Sequence, residues 1–286
     1  SLKAGEAVSF DGEGVRSPSQ IQLTTEYEEK DGGDGGNLDI RASSITFTGG
    51  AGINSTSYGT GNGGTINLRA DESVSFEGEG DKNPSLIQLA TEYEGKDGGD
   101  GGNLEIQAPN IAFTGGAWIN SATYGTGKGG MIKIKAGESV SFAGTSSYGS
   151  GGISLATIYK GEDAGDGGNL KIEAGNIAFS DGAQINSATY GTGKGGTVTL
   201  KADESVSVAG ESDRQSRIGL ATKYEGKDAG DGGSLLIEAS TIRFTDHASV
   251  DSAAYGTGNG GTVTLKADES VSVAGDGAYL LMISMY

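Results

Sequence analysis

The chain has 286 residues, 54 of them glycine, with no cysteine, one tryptophan, one histidine and a formal charge of −18 at pH 7. Glycine far exceeds its usual share of ~7% yet lacks collagen's strict triplet, the apolar residues sit in short alternating runs too brief to cross a bilayer as a helix, and no disulfide is available. The acidic balance argues against nucleic acid or an anionic membrane as a partner, because like charges repel, and it suits solubility and cation binding.

Reading from the start, Ser1-Leu2-Lys3 falls inside a strand pattern, so any export signal is expected to be removed or to lie upstream. A first apolar strand reaches Phe10, a polar segment runs from Asp11 to Ser19, and Tyr27, Asp31 and Asp34 follow. From here the sequence repeats itself. The acidic turn returns at Asp34, Asp100, Asp166 and Asp231, and the YGTG turn at Tyr58, Tyr124, Tyr190 and Tyr255, both with spacings of 66, 66 and 65 residues. One repeat domain therefore covers 1–286, with a partial unit near 1–35, units at 36–101, 102–167 and 168–232, and a truncated unit at 233–286.

Each unit divides at Gly-Gly pairs, Gly35-Gly36 and then Gly63-Gly64, into halves of 28 and 38 residues. Each half predicts three short strands, for example Asn37 to Ala42, Ile45 to Thr48 and Gly52 to Ser55, separated by Gly, Ser and Asp turn residues. Aligning the halves gives a column Leu38, Ile66, Leu104, Ile132, Leu170, Val198, Leu235 and Val263. A second column holds every phenylalanine, Phe10, Phe47, Phe76, Phe113, Phe142, Phe179 and Phe244, with Val208 and Val273 in the remaining places. Strands stacked in register at ~4.8 Å turn such columns into internal ladders. The expected fold is all-β: a right-handed parallel β-helix, or β-solenoid, of about nine coils in 66-residue double-coil repeats, roughly 40 Å long. A β-propeller fits less well, because its antiparallel blades need tight hairpins, whereas like strands here return only after 28 or 38 residues.

Several repeated side chains are candidates for function. The Asp-Gly-Gly turns offer Asp34, Asp100, Asp166 and Asp231, with Asp31, Asp97, Asp163 and Asp228 three residues earlier, as oxygen ligands for calcium. The nonapeptide calcium pattern fails at Asn37 and Asp39. The intervening half-units place Asn62, Lys128, Lys194 and Asn259 in the acidic column, which removes like-charge stacking without any metal. Tyr27, Tyr58, Tyr93, Tyr124, Tyr159, Tyr190, Tyr224 and Tyr255 form another column, read either as stacking within the wall or as a stripe for sugar rings or a neighbouring fibre. Asn54, Asn120 and Asn186, with Asp251 in the last copy, read as an amide ladder in which each side chain satisfies the next.

The residues that break the repeat do not assemble a catalytic set. His247 replaces Gly50, Gly116 and Gly182 in a turn, and Trp118 takes an outward place matched by Gly52, Gln184 and Ser249. Variation concentrates at Asp11 to Ser19, Glu77 to Ser85, Ala143 to Gly151 and Ala209 to Ser216, expected to be loops on one edge. Near the end, an apolar segment with Tyr279, Leu280, Leu281 and Met282 replaces the expected polar loop before Ile283-Ser284-Met285 resumes the repeat, which marks a possible assembly end.

The segments GNGGTINLRADESVSFEGEG (Gly61 to Gly80) and GDGGNLEIQAPNIAFTGGAWINSATYGTG (Gly99 to Gly127) resemble repeats of filamentous-haemagglutinin-like exoproteins of the cyanobacterial type, and the resemblance runs through the whole chain. It implies two-partner secretion from a Gram-negative cell, a long right-handed β-helical fibre, and a role in adhesion, aggregation or extracellular matrix. The NPNG-type motifs of that family's secretion domain are not in this sequence, so the secretion route rests on the resemblance alone. The expected function is a non-catalytic structural or adhesive extracellular protein, a surface shaft or filament, partnered by copies of itself or by cell-surface and matrix glycans. It would have no cofactor unless calcium binds at the acidic turns. A glycan-binding or polysaccharide-cleaving β-helix is the alternative.

Overall fold

The computed structural model describes residues 1–12, 19–26, 32–78, 84–146, 149–211 and 213–281. All regular structure in it is β, and all pairing between coils is parallel. The long strands Leu38–Thr48, Thr65–Glu77, Asn103–Thr114, Met131–Ala143, Asn169–Ser180, Thr197–Ala209, Ser234–Thr245 and Thr262–Ala274 stack in chain order, with Leu2–Lys3 and Val8–Asp11 both pairing onto the first of them. A second sheet stacks the three-residue strands Gln20–Gln22, Gly52–Asn54, Leu86–Gln88, Trp118–Asn120, Gly152–Ser154, Gln184–Asn186, Arg217–Gly219, Ser249–Asp251 and Tyr279–Leu281. Single parallel bridges along Thr25, Ser57, Thr91, Thr123, Thr157, Thr189, Thr222 and Ala254 form a third, minimal wall. Sheet neighbours are always successive turns of the chain, which defines a parallel β-helix.

The two strands expected at Asn37–Ala42 and Ile45–Thr48 are one bent strand. Inward residues run Ile40, Ala42, then Ile45 and Phe47, so the strand turns a corner between Ala42 and Ser44. Pairing persists through the bend because the Ser43 N–H donates to the Glu6 carbonyl at 3.0 Å. Alternate coils carry one extra residue at this corner: Ala42 pairs with Ala70 but Ser44 with Ser73. This bulge repeats in each pairing of the full-length long strands up the rod.

The core is a set of columns. Phe47, Phe76, Phe113, Phe142 and Phe179 are buried and stack face to face, with ring centroids 4.6 to 5.1 Å apart from Phe10 to Phe179 and interplanar angles of 10° or less. Val208 then interrupts the rings, and Phe244 continues the column. Beside it run Ile40–Leu68–Ile106–Ile134–Ile172–Leu200–Ile237 and Ile53–Ile87–Ile119–Ile153–Ile185–Ile218–Val250, all buried. Burial of this apolar surface drives the fold.

At the far end the section narrows, and the filling changes from apolar to polar. Buried Leu89, Leu155 and Leu220 alternate from coil to coil with buried Ser55, Ser121, Ser187 and Ser252. Each of those serine hydroxyls donates across the interior to the carbonyl of Gly36, Gly102, Gly168 or Gly233. The Thr91, Thr157 and Thr222 hydroxyls likewise donate to the carbonyls of Asp100, Asp166 and Asp231, each at 2.9 Å. Here backbone lies against backbone. A Cβ placed on Gly129 would stand 1.9 Å from the Leu155 carbonyl oxygen and 2.4 Å from the Gly168 nitrogen, so only glycine fits.

Candidate functional site

Among the described residues the outward columns carry the repeated chemistry that a ligand could reach, and the hydrogen bonds of each coil define them. At the Gly-Gly turn, Asp34, Asn62, Asp100, Lys128, Asp166, Lys194, Asp231 and Asn259 form one continuous ladder. The Asp34 carboxylate accepts the Asn62 N–H at 2.7 Å, Asp100 that of Lys128 at 2.8 Å, Asp166 that of Lys194 at 2.9 Å and Asp231 that of Asn259 at 2.9 Å. The Lys128 and Lys194 ammonium groups then reach the next carboxylates, Asp166 at 3.7 Å and Asp231 at 3.3 Å. Each aspartate thus caps the coil beyond it, and Asp166 and Asp231 also pair with the lysine of the coil before. The Asn259 bonds and Lys194 together hold the Asp231 carboxyl below the usual range.

These aspartates stand two coils apart, roughly 10 Å at ~4.8 Å per coil, too far for two of them to share one ion at ~2.4 Å per ligand. Asp97, Asp163 and Asp228 lie exposed on the wider turns, and Asp163 pairs with Lys96 at 3.1 Å. Asp31 lies outside the described residues. Among the described residues no three acidic, histidine or cysteine side chains converge.

The tyrosines are two sets, not one column. Ser57, Thr91 and Thr123 pair directly, so Tyr58 shares its level with Glu92 and Tyr124, followed by Ile158, Tyr190, Lys223 and Tyr255. Tyr93, Tyr159 and Tyr224 sit one residue further on, each ring laid against the glycine two residues later, Gly95, Gly161 or Gly226. Those three serve the wall. Tyr27 lies outside the described residues.

In the first set no two tyrosines are adjacent. The Lys223 ammonium sits 4.9 Å from the centre of the Tyr190 ring and donates to its hydroxyl at 3.2 Å. Glu92, between Tyr58 and Tyr124, accepts from Gln88 at 2.9 Å, and burial raises its carboxyl above the usual range. Burial also raises the Tyr58 and Tyr124 hydroxyls, with the Glu92 charge adding to it.

The asparagines do not form an amide ladder either. Gln88, Ser154 and Gly219 separate Asn54, Asn120, Asn186 and Asp251 in the register. Each carbonyl or carboxylate oxygen instead accepts the N–H two residues on, at Thr56, Ala122, Ala188 and Ala253, at 3.1 to 3.3 Å. This local turn closes the corner after the short strand. In the last copy Asp251 is buried and meets Arg217 in a close ion pair, with the Tyr255 hydroxyl 3.4 Å away.

Trp118 is half-buried between Leu86 and Gly152. His247 has φ 59°, following Asp246 at φ 42°, where the other copies place Gly49-Gly50, Gly115-Gly116 and Asp181-Gly182, all at positive φ. The variable segments lie partly outside the described residues, but their bases are tied: the hydroxyls of Ser19, Ser85 and Ser216 donate to the carbonyls of Asp11, Glu77 and Ala209 at 2.7 to 2.8 Å. The final apolar segment is itself the ninth short strand, with Tyr279, Leu280 and Leu281 opposite Ser249, Val250 and Asp251. The short-strand column therefore continues at Tyr279–Leu281, while Ile283-Ser284-Met285, where the sequence predicts the repeat to resume, lie outside the described residues. Leu280 packs on the core and Tyr279 is exposed, while Met282 lies outside the described residues.

Comparison with protein-family models, curated proteins and solved structures finds no match to this chain.

Proposed function

We propose that this β-helix is a non-catalytic structural and adhesive element, the shaft of an extracellular surface exoprotein or fibre of the filamentous-haemagglutinin-like kind. The observation that carries the reading is the continuity of the inner columns, in which the same apolar and hydroxyl positions recur coil after coil. Such a molecule gains length by adding coils, since each coil needs only its neighbours for stability. The outward columns are largely occupied with contacts between coils, as at the Asp–Lys turn ladder, and they repeat evenly rather than converging on a point.

Negative-stain electron microscopy of the purified chain, at several concentrations and with and without a calcium chelator, tests the shaft reading. Short single rods of uniform width are expected in both conditions. Globular particles would overturn the reading, long uniform filaments would make the chain a self-assembling subunit, and loss of rods on chelation would return calcium to the turns. Adhesion is tested separately by binding of the labelled rod to immobilised cell-surface and matrix material, and no binding beyond that of a control protein would remove that half of the proposal.

A further inference from the structure

One outward column departs from the charge logic of the rest. At the corner of the long sheet Lys3, Arg41, Arg69, Gln107, Lys135, Glu173, Lys201, Glu238 and Lys266 stand in register. From Lys135 onward the signs alternate, and the ion pairs form: Lys266 meets Glu238 at 2.8 Å and Lys201 meets it at 3.6 Å. In the first five coils they do not alternate. Four cations and one amide are stacked at ~4.8 Å intervals with no acid between them, an arrangement that costs stability because like charges face each other across strands. The adjoining column meets part of the cost: the Asp39 carboxylate accepts from the Arg41 Nε at 3.2 Å and from a terminal guanidinium nitrogen at 3.4 Å, and Glu105 pairs with Arg69 at 3.5 Å and accepts from the Gln107 amide. The Arg69 Nε is buried and finds no acceptor.

The same stretch is concave. Lys3, Arg41, Arg69, Gln107 and Lys135 line an open groove of about 770 Å³ that runs along the rod axis, floored by alanines, Pro109 and Gly137 and touched by a single acid, Asp71. A cationic groove on a chain of charge −18 is a local reversal of sign. A local rule broken over one stretch, and kept over the rest of the same column, marks a place where something other than stability is served.

We infer that this groove binds a linear, carboxylated polysaccharide laid along the rod axis. The ligand must be anionic to complement the stacked cations, and it must be a linear polymer to reach them, because they are spread over successive coils of one row. An extended peptide laid along the axis would cross strands that are already paired on both sides, so its backbone would find no sheet edge to bond. A polyuronate carries one carboxylate per sugar ring, with hydroxyls on every ring for the coils its carboxylates do not face. The small floor leaves room for the rings, and Gln107, whose amide nitrogen donates to Glu105, offers its amide oxygen to hydroxyls where the charge lapses. The cations lie 40 to 47% exposed at Arg69 and Arg41, so the groove is accessible as it stands. The inference names a partner for the adhesive reading above and rests on it for where such a polymer is met.

Isothermal titration of the whole chain with short oligogalacturonides, at salt near 0.15 M and again at 1 M, tests it. Binding is expected at the lower salt and should weaken by tenfold or more at the higher, where the screening length falls from ~8 to ~3 Å. The triple variant Arg41→Gln, Arg69→Gln, Lys135→Gln should lose binding by tenfold or more. Lys201→Gln with Lys266→Gln, in the alternating half, should keep it. Circular dichroism melts separate loss of binding from loss of fold, and a Lys135→Gln single variant with an intermediate affinity serves if the triple variant is unstable. Equal binding of the methyl-esterified oligomer, or no binding of the acidic one, overturns the inference, as does binding of a sulfated but not a carboxylated chain. Sedimentation of the free protein covers the remaining occupant. Salt-sensitive pairing that the triple variant abolishes, without oligouronate binding, would assign the groove to an acidic face of a second copy and end the proposal. Rod shape by microscopy is independent of all these outcomes, so failure here leaves the shaft reading standing.

Discussion

The Asp231 carboxylate accepts two hydrogen bonds from Asn259 one coil on, from its backbone N–H at 2.9 Å and its side-chain amide at 3.0 Å. These bonds, with Lys194 behind, lower its pKa, and Glu173 beside Lys171 and Glu238 beside Lys266 are lowered in the same way. A carboxyl whose folded pKa is depressed adds stability that is complete above its unfolded pKa of ~3.9 and is lost as pH falls through the folded value. The share of stability from these three carboxyls should therefore be level from pH 7 to about 5, and the melting temperature should drop below pH 4. Asp231→Asn should flatten part of that drop, and thermal melts across pH 2–7 for both proteins check it. An equally steep acid limb in the variant would mean the ladder does not set the slope.

Glu92 has the opposite sign. Burial between Tyr58 and Tyr124 raises its folded pKa, so between the unfolded and folded values the folded chain holds the extra proton and stability falls as pH rises. The deficit is complete once pH has passed the folded value. Glu92→Gln keeps an acceptor for Gln88 and removes the charge, so it should raise the melting temperature at pH 7 and leave it unchanged near pH 3. A uniform shift at both pH values would point to packing instead.

The phenylalanine column makes a prediction about tolerance. Val208 already occupies one of its places between Phe179 and Phe244, so Phe113→Val asks for nothing the rod does not already do, at the loss of stacking on Phe76 and Phe142. The cost should be about 1–3 kcal/mol, below the 3–5 typical of Phe→Ala. Phe113→Asp buries a charge with no partner and should unfold the neighbouring coils. Urea unfolding of both variants decides. If Phe113→Asp melts like the parent, the column is not interior.

Much of this architecture could be read from the letters because the interior repeats by residue type. Phenylalanine recurs wherever a large ring must stack, and the period, the parallel order and the Asp–Lys turn alternation follow from the same self-comparison. What could not be read is register between unlike half-units. Matching Tyr58 to Tyr93 by identity misplaces one of them by a residue, since YGTG and YEGK turns differ in path while the hydrogen bonds align Ser57 with Thr91. The recurring Ser or Thr just before the turn was the available signal. Likewise Tyr279–Leu281 carries the strand because Leu280 takes the isoleucine place, though its neighbours match no earlier copy. The cationic groove is not legible in the letters because Lys3, Arg41, Arg69 and Lys135 become one row only once alternate coils of unequal length are stacked.

His247 has φ 59° at a place where three earlier copies use glycine at positive φ. A left-handed backbone costs a residue with a Cβ roughly 1–2 kcal/mol, partly offset because glycine loses more entropy on folding. His247→Gly should then stabilise the chain by about 0.5–1 kcal/mol, read as a higher urea midpoint with unchanged slope. A lower midpoint would show that the imidazole makes a contact worth more than the strain.

Two glycines set the limits of the backbone packing. At Gly129 an added methyl would meet the Leu155 carbonyl of the same interior and the Gly168 backbone of the next coil, both main-chain atoms that cannot swing aside. At Gly137, on the outer corner, the nearest atom to an added methyl is the Pro109 Cα at 3.6 Å, an ordinary contact. The same substitution should therefore change sign between them. Gly129→Ala forces the two walls of the neck apart and should cost about 3 kcal/mol or more, at or beyond the upper end of overpacking penalties, because the coils on both sides must shift. Gly137→Ala narrows only the unfolded ensemble and should add about 0.4–1 kcal/mol. Urea midpoints of the two variants against the parent test the pair. Equal effects of one sign would mean that the polar neck, with its serine and threonine hydroxyls bonded across to glycine and aspartate carbonyls, is not as close-packed as the apolar half of the rod.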